Sequence, residues 1–283
     1  MIIDTHSHLN FKAYDKDREE VIKRTKEGGV ICIDVGTKYE TSKNAIKLAE
    51  KNEGIYAAIG MHPIHIKTDL LKLRMDEEEG AFAPLGEEFN ASRYKQLVLD
   101  DRKAESPERS RRIVAIGEVG LDYYHRPKGT AKLEKFKEMQ RKVFVEQLEM
   151  AEELNLPVII HCRMAFVDLY EILKTRKMRG VIHCFTGTLE EAKRFTDLGL
   201  YLGINGIIFK FDIDEAIKKT PLDKLLVETD CPYLTPPKAG TKEVRNEPLF
   251  VKYVAERIAE LRGISFDEVV SATTQNAKKL FRI

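Results

Sequence analysis

No apolar run in the chain approaches the roughly 18 residues that a membrane-spanning helix needs, which argues against a bilayer span. An excess of either charge is also missing: 47 Lys and Arg face 46 Asp and Glu, giving a formal net charge of +1 and a sequence pI near 7.7. A protein that tracks along duplex nucleic acid is expected to spread many basic residues over one surface. This composition offers no such excess, so an anionic substrate has to be gripped locally. Cysteine is scarce, with four among 283 residues. Three of them, Cys162, Cys184 and Cys231, directly follow His161, His183 and Asp230. Successive strand residues point to opposite faces, so a cysteine next to a site-facing donor should face away. Buried small hydrophobes are expected, not disulfides or zinc thiolates. Low-complexity segments and sequence repeats are absent, and a first strand starting at Ile2 leaves no room for a signal peptide. A cytoplasmic protein is expected.

What is present is 43% hydrophobic residues, enough for one large core, and a single domain over residues 1–283. Short runs rich in Val and Ile recur at residues 2–8, 30–36, 55–61, 113–119, 157–162, 180–185, 200–205 and 225–230, with amphipathic stretches between them. Apolar on both faces, they read as buried parallel strands with crossover helices. The clearest helix covers residues 131–154, where Leu133, Phe136, Gln140, Val143, Phe144, Leu148, Ala151 and Leu154 fall at spacings of three and four. Eight such units predict a (β/α)8 TIM barrel, whose catalytic groups sit at the carboxyl ends of the strands.

Two segments exceed the repeat. From Ser265 to Phe281 an additional C-terminal helix is expected, with Val269, Val270, Ala277 and Leu280 packing. A connection from about residue 66 to 112, partly insertion, follows strand 3 and is far longer than a usual loop. Its stretch from Asp69 to Asn90 carries seven acids (Asp69, Asp76, Glu77, Glu78, Glu79, Glu87, Glu88) against two bases, Lys72 and Arg74. It reads as a solvated surface excursion, since an acidic lid would repel a phosphate.

Five of the strand-like runs end on a metal-binding side chain. His6 and His8 close the first, Glu118 the fourth, His161 the fifth, His183 the sixth and Asp230 the eighth. Residues i and i+2 of a strand share a face, so His6 and His8 can reach one ion, with Asp4 one layer deeper. Nitrogen and oxygen donors of these types suit two divalent cations, Mg, Mn or Zn. Glu118, the one acid in the middle of the ring, is the natural bridge. His6, His8 and Asp230 then serve one ion, and His161 and His183 the other. Two cations about 3.5–4 Å apart activate water and neutralise developing charge. Glu118 and Asp230 are therefore the candidate catalytic residues, Asp230 also as acceptor of the water proton. On the same parity, Arg163 either forks onto substrate phosphate or pairs with a rim carboxylate such as Glu228. Asp122 either hydrogen-bonds a ligand histidine or starts a turn. Tyr123, Tyr124 and Tyr233 stack on bases or pack the rim, and Asn246 with Glu247 and Pro248 reads as a helix cap.

The motifs D-T-H-S-H (4–8), G-M-H-P (60–63), G-E-V-G-L-D (117–122), H-C-R (161–163), H-C-F-T-G (183–187), E-T-D-C-P-Y-L (228–234), R-N-E-P (245–248) and T-T-Q-N-A (273–277) span nearly the whole chain. In this order they resemble the TatD-type metal-dependent deoxyribonucleases of the amidohydrolase-like hydrolases. The resemblance implies His6, His8, Glu118, His161, His183 and Asp230 as metal ligands, and roles near substrate phosphate for His62, Arg163 and Asn205. Members usually show His-Pro-His after the third strand. Here His62, Pro63, Ile64 and His65 displace the second histidine by one position, so His65 is a substrate-binding candidate by displacement only.

The expected activity is hydrolysis of DNA phosphodiesters by two-metal activation of water, as a 3′-5′ exonuclease or one preferring single strands, in DNA repair or degradation. No organic cofactor is implied. Two rivals stand beside it: an amidase or ester hydrolase acting on a small molecule or aminoacyl-tRNA, and a non-catalytic metal-binding scaffold.

Overall fold

The computed structural model describes residues 1–70, 78–79, 86–103, 111–240 and 244–283. Among them run eight strands: β1 (Ile2–Ser7), β2 (Val30–Val35), β3 (Ile55–Ile59), β4 (Ile113–Asp122), β5 (Val158–Arg163), β6 (Gly180–Ile182), β7 (Tyr201–Ile204) and β8 (Leu225–Val227). Each pairs in parallel with the next in chain order. The helices are α1 (Arg18–Glu27), α2 (Tyr39–Lys51), α3 (Ala91–Arg102), α4 (Thr130–Leu154), α5 (Phe166–Leu173), α6 (Leu189–Asp197), α7 (Asp214–Lys219), α8 (Val251–Arg262) and α9 (Phe266–Phe281). Closure comes just beyond β8, where the Asp230 N–H donates to His6 O at 2.8 Å and the His8 N–H to Cys231 O at 2.9 Å. The architecture is the expected (β/α)8 barrel, and no described helix is long and apolar enough to cross a membrane.

The periodic segment before Pro157 folds as α4 and buries Phe136, Gln140, Phe144, Gln147, Leu148, Ala151 and Leu154. It stops where Asn155 turns left-handed at φ 53° ahead of Pro157. The terminal helix α9 begins on a capping box: Ser265 Oγ accepts from Glu268 N–H at 3.2 Å, and Glu268 accepts from Ser265 N–H at 2.9 Å. Its Ala277, Leu280 and Phe281 join Ile3, Ile33, Ile159, Val181 and Leu226 in one buried cluster, so α9 plugs the foot of the barrel. Each such leucine or phenylalanine contributes about 2 kcal/mol of burial. Asn276, in the last sequence motif, donates to Leu222 O and Leu225 O at 2.9 and 2.8 Å and fixes the entry to β8.

The long connection after β3 contains the barrel's third helix, α3, which buries Tyr94 and Val98. Its acidic stretch departs from the solvated excursion expected of it. Glu79 is buried: its carboxylate lies 3.0 Å from Lys38 Nζ and 2.8 Å from His65 Nε2, and it accepts from Thr37 Oγ1 at 2.5 Å. The excursion is thereby pinned to the loops after β2 and β3. Lys72, Arg74, Asp76 and Glu77 lie outside the described residues.

Two irregularities decide which way the first donors point. In β1 the register slips between Asp4, paired with Cys32, and Ser7, paired with Asp34. In β4 it slips between Ile116, paired with Val158, and Val119, paired with Ile160. An extra residue at each place breaks the period-two alternation and re-aims a side chain, as bulges beside active sites do. His6 and Glu118 sit in these two bulges.

Candidate metal centre

The mouth of the barrel brings together all six predicted ligands. His6 Nε2 lies 3.1 Å from His8 Nε2, 3.5 Å from Glu118 Oε2 and 3.8 Å from Asp230 Oδ1. His8 Nε2 lies 3.5 Å from Asp230 Oδ1 and 4.0 Å from Glu118 Oε2. The other Glu118 oxygen, Oε1, faces a second group: His161 Nδ1 at 2.8 Å, His62 Nε2 at 3.4 Å and His183 Nε2 at 3.7 Å. His183 Nε2 is also 3.9 Å from Asp230 Oδ1, and its ring stacks on that of His6 with centroids 3.6 Å apart. Such triads of donor atoms can hold metal ions.

For His8 and His183 the outer nitrogen shows what the inner one offers. His8 Nδ1 lies 2.8 Å from Val35 O and His183 Nδ1 2.8 Å from Glu228 Oε1, so both carry hydrogen there and leave Nε2 for an ion. His161 is held between Glu118 and Asp122, whose Oδ2 is 3.3 Å from Nε2. Loss of its Nδ1 proton leaves a lone pair on the Glu118 side. His62 is wired the opposite way: its Nδ1 accepts from Ile64 N–H at 3.1 Å, so the neutral ring carries hydrogen on Nε2, aimed into the mouth as a donor.

Electrostatics follow from this crowding. Burial alone would raise the Glu118 carboxyl, but His62, His183, His161 and His6 hold it well below the usual range. Burial likewise opposes a low value for Asp230, which His183, His8 and His6 nevertheless pull down. Burial disfavours charge on His183 and His161, yet the carboxylates around them raise the pair to about 10 and about 9. Burial and the neighbouring His161 push His62 down to about 4, which keeps it neutral. A metal bound here would compete with the protons on His161 and His183.

The residues around the donors hold them in place. Glu228 is fully buried, and its Oε1 accepts from His183, from Cys184 N–H at 2.8 Å and from Asn205 Nδ2 at 3.0 Å. It fits against β7 only because Gly203 has no side chain; a Cβ there would lie 2.4 Å from Glu228 Oε2. Asp122 meets both expectations: Oδ1 accepts from the N–H groups of Tyr124 and His125 in a turn, while Oδ2 faces His161. Gly120, at φ +146°, lets β4 run against β5, since a Cβ would lie 2.0 Å from His161 O. Two glutamines on one face of α4 act as surrogate strand partners. Gln140 exchanges two hydrogen bonds with the Asp122 backbone and Gln147 two with the Met61 backbone, next to His62. Gln147 carried no signal in the sequence beyond its helical spacing.

Several expectations need correction. Asp4 does not lie beneath the donors: just ahead of the bulge it grips β8's extension, accepting from Thr229 N–H at 2.8 Å and Thr229 Oγ1 at 2.6 Å. Asn205 is completely buried, with its amide committed to Glu228 and Ile207 N–H, and it presents nothing to a substrate. His65 stays outside the donor group, its ring 6.2 Å from that of His62, and faces Glu79. Arg163 forms no ion pair with Glu228 among the described residues. Its guanidinium lies 3.8 Å over the ring of Tyr124, and both are exposed at the rim. Tyr123 packs inward and donates to Asp168 at 2.7 Å, while Tyr233 is half-buried. Asn246 caps no helix; its Nδ2 donates to Thr229 O and Tyr233 O and so braces the segment carrying Asp230. Cys184 breaks the alternation argument. β6 ends at Ile182, Cys184 adopts φ 47°, and its sulfur comes within reach of His183 and Asp230.

Comparison with known proteins agrees with this architecture. The family model for TatD related DNase matches residues 3–282. Across the full length of both, the chain is 41% identical to a Bacillus subtilis protein described as the uncharacterized metal-dependent hydrolase YabD. It is 33% identical, again over the full length of both, to the 3′-5′ ssDNA/RNA exonuclease TatD of Pantoea vagans. The crystal structure of YJJV, a TatD homolog from Escherichia coli, superposes with a TM-score of 0.79 at 30% identity, covering 100% of this chain and 98% of that one. The chain belongs to the TatD related DNase family and is a metal-dependent hydrolase.

Proposed function

We propose that this hydrolase cleaves phosphodiester bonds of single-stranded DNA from an end, in the 3′-5′ direction, using two divalent ions held at the barrel mouth. The observation that carries it is the splayed engagement of Glu118: Oε2 faces His6 and His8, and Oε1 faces His161 and His183. One carboxylate with a donor set on each oxygen could serve two ions at once. His6, His8 and Asp230 would hold one ion, and His161 and His183 the other. Bound ions of this kind supply a more acidic water and neutralise charge on the scissile phosphate. Asp230, its side chain 15% exposed against 5% for Glu118, faces the opening and can take the water proton. His62, neutral with Nε2–H pointing inward, donates to a phosphate oxygen. Glu228, Asn205 and Asp122 orient the ligand histidines and do not touch substrate.

The rim favours an unpaired strand. Tyr124 is 54% exposed beneath Arg163, and Met164 and Phe211 are exposed on the loops after β5 and β7. Bases stack on such faces while a guanidinium holds the backbone. The Pantoea relative carries the same activity in its name.

Purified protein assayed with Mg, Mn and Zn on single-stranded DNA, duplex DNA, RNA, a cyclic amide and an aminoacyl ester tests this directly. Single-stranded DNA should be the best substrate. Glu118→Gln should lose about a thousandfold in rate while keeping the wild-type circular dichroism. Full activity in that variant would refute the bridge, and a preference for the amide or ester would replace the nuclease by a carbonyl hydrolase.

A further inference from the structure

We propose that the foot of the barrel, opposite the metal centre, carries a second ligand site: an arginine-lined cleft that takes a nucleoside phosphate. The cleft is a cavity of about 420 Å³, within the range of small-molecule sites. Four arginines line it, Arg102, Arg111, Arg179 and Arg282, with Pro157 and Phe281 beside them. It is remote from the catalytic mouth. Ile113, which also lines it, precedes Glu118 by five residues in β4, which at about 3.3 Å per residue puts them about 16 Å apart.

Helix capping explains part of this cluster but not all of it. Arg102 donates to Leu154 O at 2.6 Å, and Arg179 donates to Asn155 O at 2.7 Å and Leu280 O at 3.4 Å. These bonds serve the carboxyl ends of α4 and α9, where cations are favoured. The side chains of Arg111 and Arg282 have no such task, although the Arg282 backbone N–H caps α9 on Lys278 O at 2.8 Å. Neither side chain forms a hydrogen bond or ion pair with any described residue, and no described carboxylate pairs with any of the four. Asp101, at the end of α3, instead accepts from the N–H groups of Arg112 and Ile113. Both unengaged arginines occupy left-handed backbone, φ 66° and 59°, where glycine or asparagine is the unstrained choice. Burial and the neighbouring Arg282 lower the Arg179 guanidinium, a sign of like charges crowded together. A bound anion relieves that crowding.

Phosphate is the anion whose geometry matches guanidinium forks. Leu156, half-buried, also lines the cleft; an inorganic phosphate would leave this apolar surface uncovered, whereas the base or sugar of a nucleotide covers it. The assignment is independent of what the metal centre hydrolyses.

The test is calorimetric titration of the full chain, with a chelator present, by AMP, inorganic phosphate and adenosine. AMP should bind at least about tenfold more tightly than phosphate, and adenosine should not bind. Arg111→Ala/Arg282→Ala should weaken AMP by about tenfold or more, with its melting midpoint and its metal-dependent hydrolysis unchanged. Arg163→Ala should bind AMP as wild type does. Equal AMP affinity in wild type and the double variant would overturn the site, as would loss of AMP binding in Arg163→Ala, which would put the nucleotide at the mouth. Phosphate binding as well as AMP would overturn the nucleotide class. A lowered melting midpoint with unchanged AMP affinity would reduce the two arginines to structural caps.

Discussion

The two halves of the barrel hold their donors by different means. From β1 to β5 the strands are five to ten residues long, and His6, Glu118 and His161 lie within them. From β6 to β8 they shrink to three or four residues, and His183 and Asp230 fall beyond the strand ends. In the first half the ladder of backbone hydrogen bonds sets the direction of these three, with bulges at His6 and Glu118, and His8, one residue past β1, is aimed by its Nδ1 on Val35 O. In the second, side chains do that work: Glu228 and Asn205 aim His183, while Asp4, Thr229 and Asn246 brace the turn in which Asp230 sits at φ 56°. A donor on a strand inherits its orientation, whereas a donor on a loop depends on each prop.

The largest effect expected on the loop side comes from Asp230→Asn. It removes a negative oxygen shared by His6, His8 and His183 and the proposed acceptor of the water proton. The turnover rate on single-stranded DNA should fall about a hundredfold to a thousandfold. A fall of less than tenfold would return the proton-accepting role to another group.

A paired substitution sharpens the contrast. Glu228→Gln weakens the hold on a histidine that lies off its strand, and metal affinity should drop about ten- to a hundredfold. Asp122→Asn does the same to His161, but that ring is still fixed by β5, so its loss should be several times smaller. Metal-binding isotherms of the two proteins decide the point, and equal losses would erase the distinction between the halves.

This difference also explains what could be seen from sequence. Periodic apolar runs set the barrel, α4 and α9, because each records burial of one face. The ligand set was visible because donors at strand ends stand out against Val and Ile. Asp4 and Cys184 misled for one physical reason: alternation holds only along an unbroken ladder, and a bulge follows Asp4 while β6 stops before Cys184. Resemblance places Asn205 near substrate, whereas its full burial reflects a long-range partner, Glu228, that spacing cannot reveal. Glu79 looked solvated because composition counts charges and does not see that Lys38, Thr37 and His65 await one of them.

Glu79 gives the strand half a tie of its own kind, with a pH signature. Burial would raise its carboxyl, but His65, Lys38 and Thr37 hold it well below the usual glutamate range. An acid depressed in the folded state adds stability that is present above its unfolded value and lost as pH falls through the folded one. Glu79→Gln should therefore cost about 2 kcal/mol at pH 7, and the gap from wild type should close progressively below pH 4.5. Urea unfolding at pH 7 and pH 3 measures both; a gap that stays constant would mean that the carboxylate is not charged in the fold.

The smallest effect tests whether the loop half hides another ligand. Cys184 Sγ comes within reach of His183 and Asp230, yet burial together with the Asp230 and Glu228 charges pushes its thiol well above its ordinary range. A protonated thiol is a poor ligand, and its hydrogen bond to Asn205 Oδ1 at 3.5 Å is that of a weak donor. Cys184→Ala should change metal affinity by no more than about fivefold, the worth of one weak hydrogen bond of about 1 kcal/mol. Cobalt-loaded wild type should show no thiolate charge-transfer band. Such a band, lost in Cys184→Ala together with a tenfold or greater drop in affinity, would make sulfur a ligand of the centre and leave Glu228 as its positioning residue.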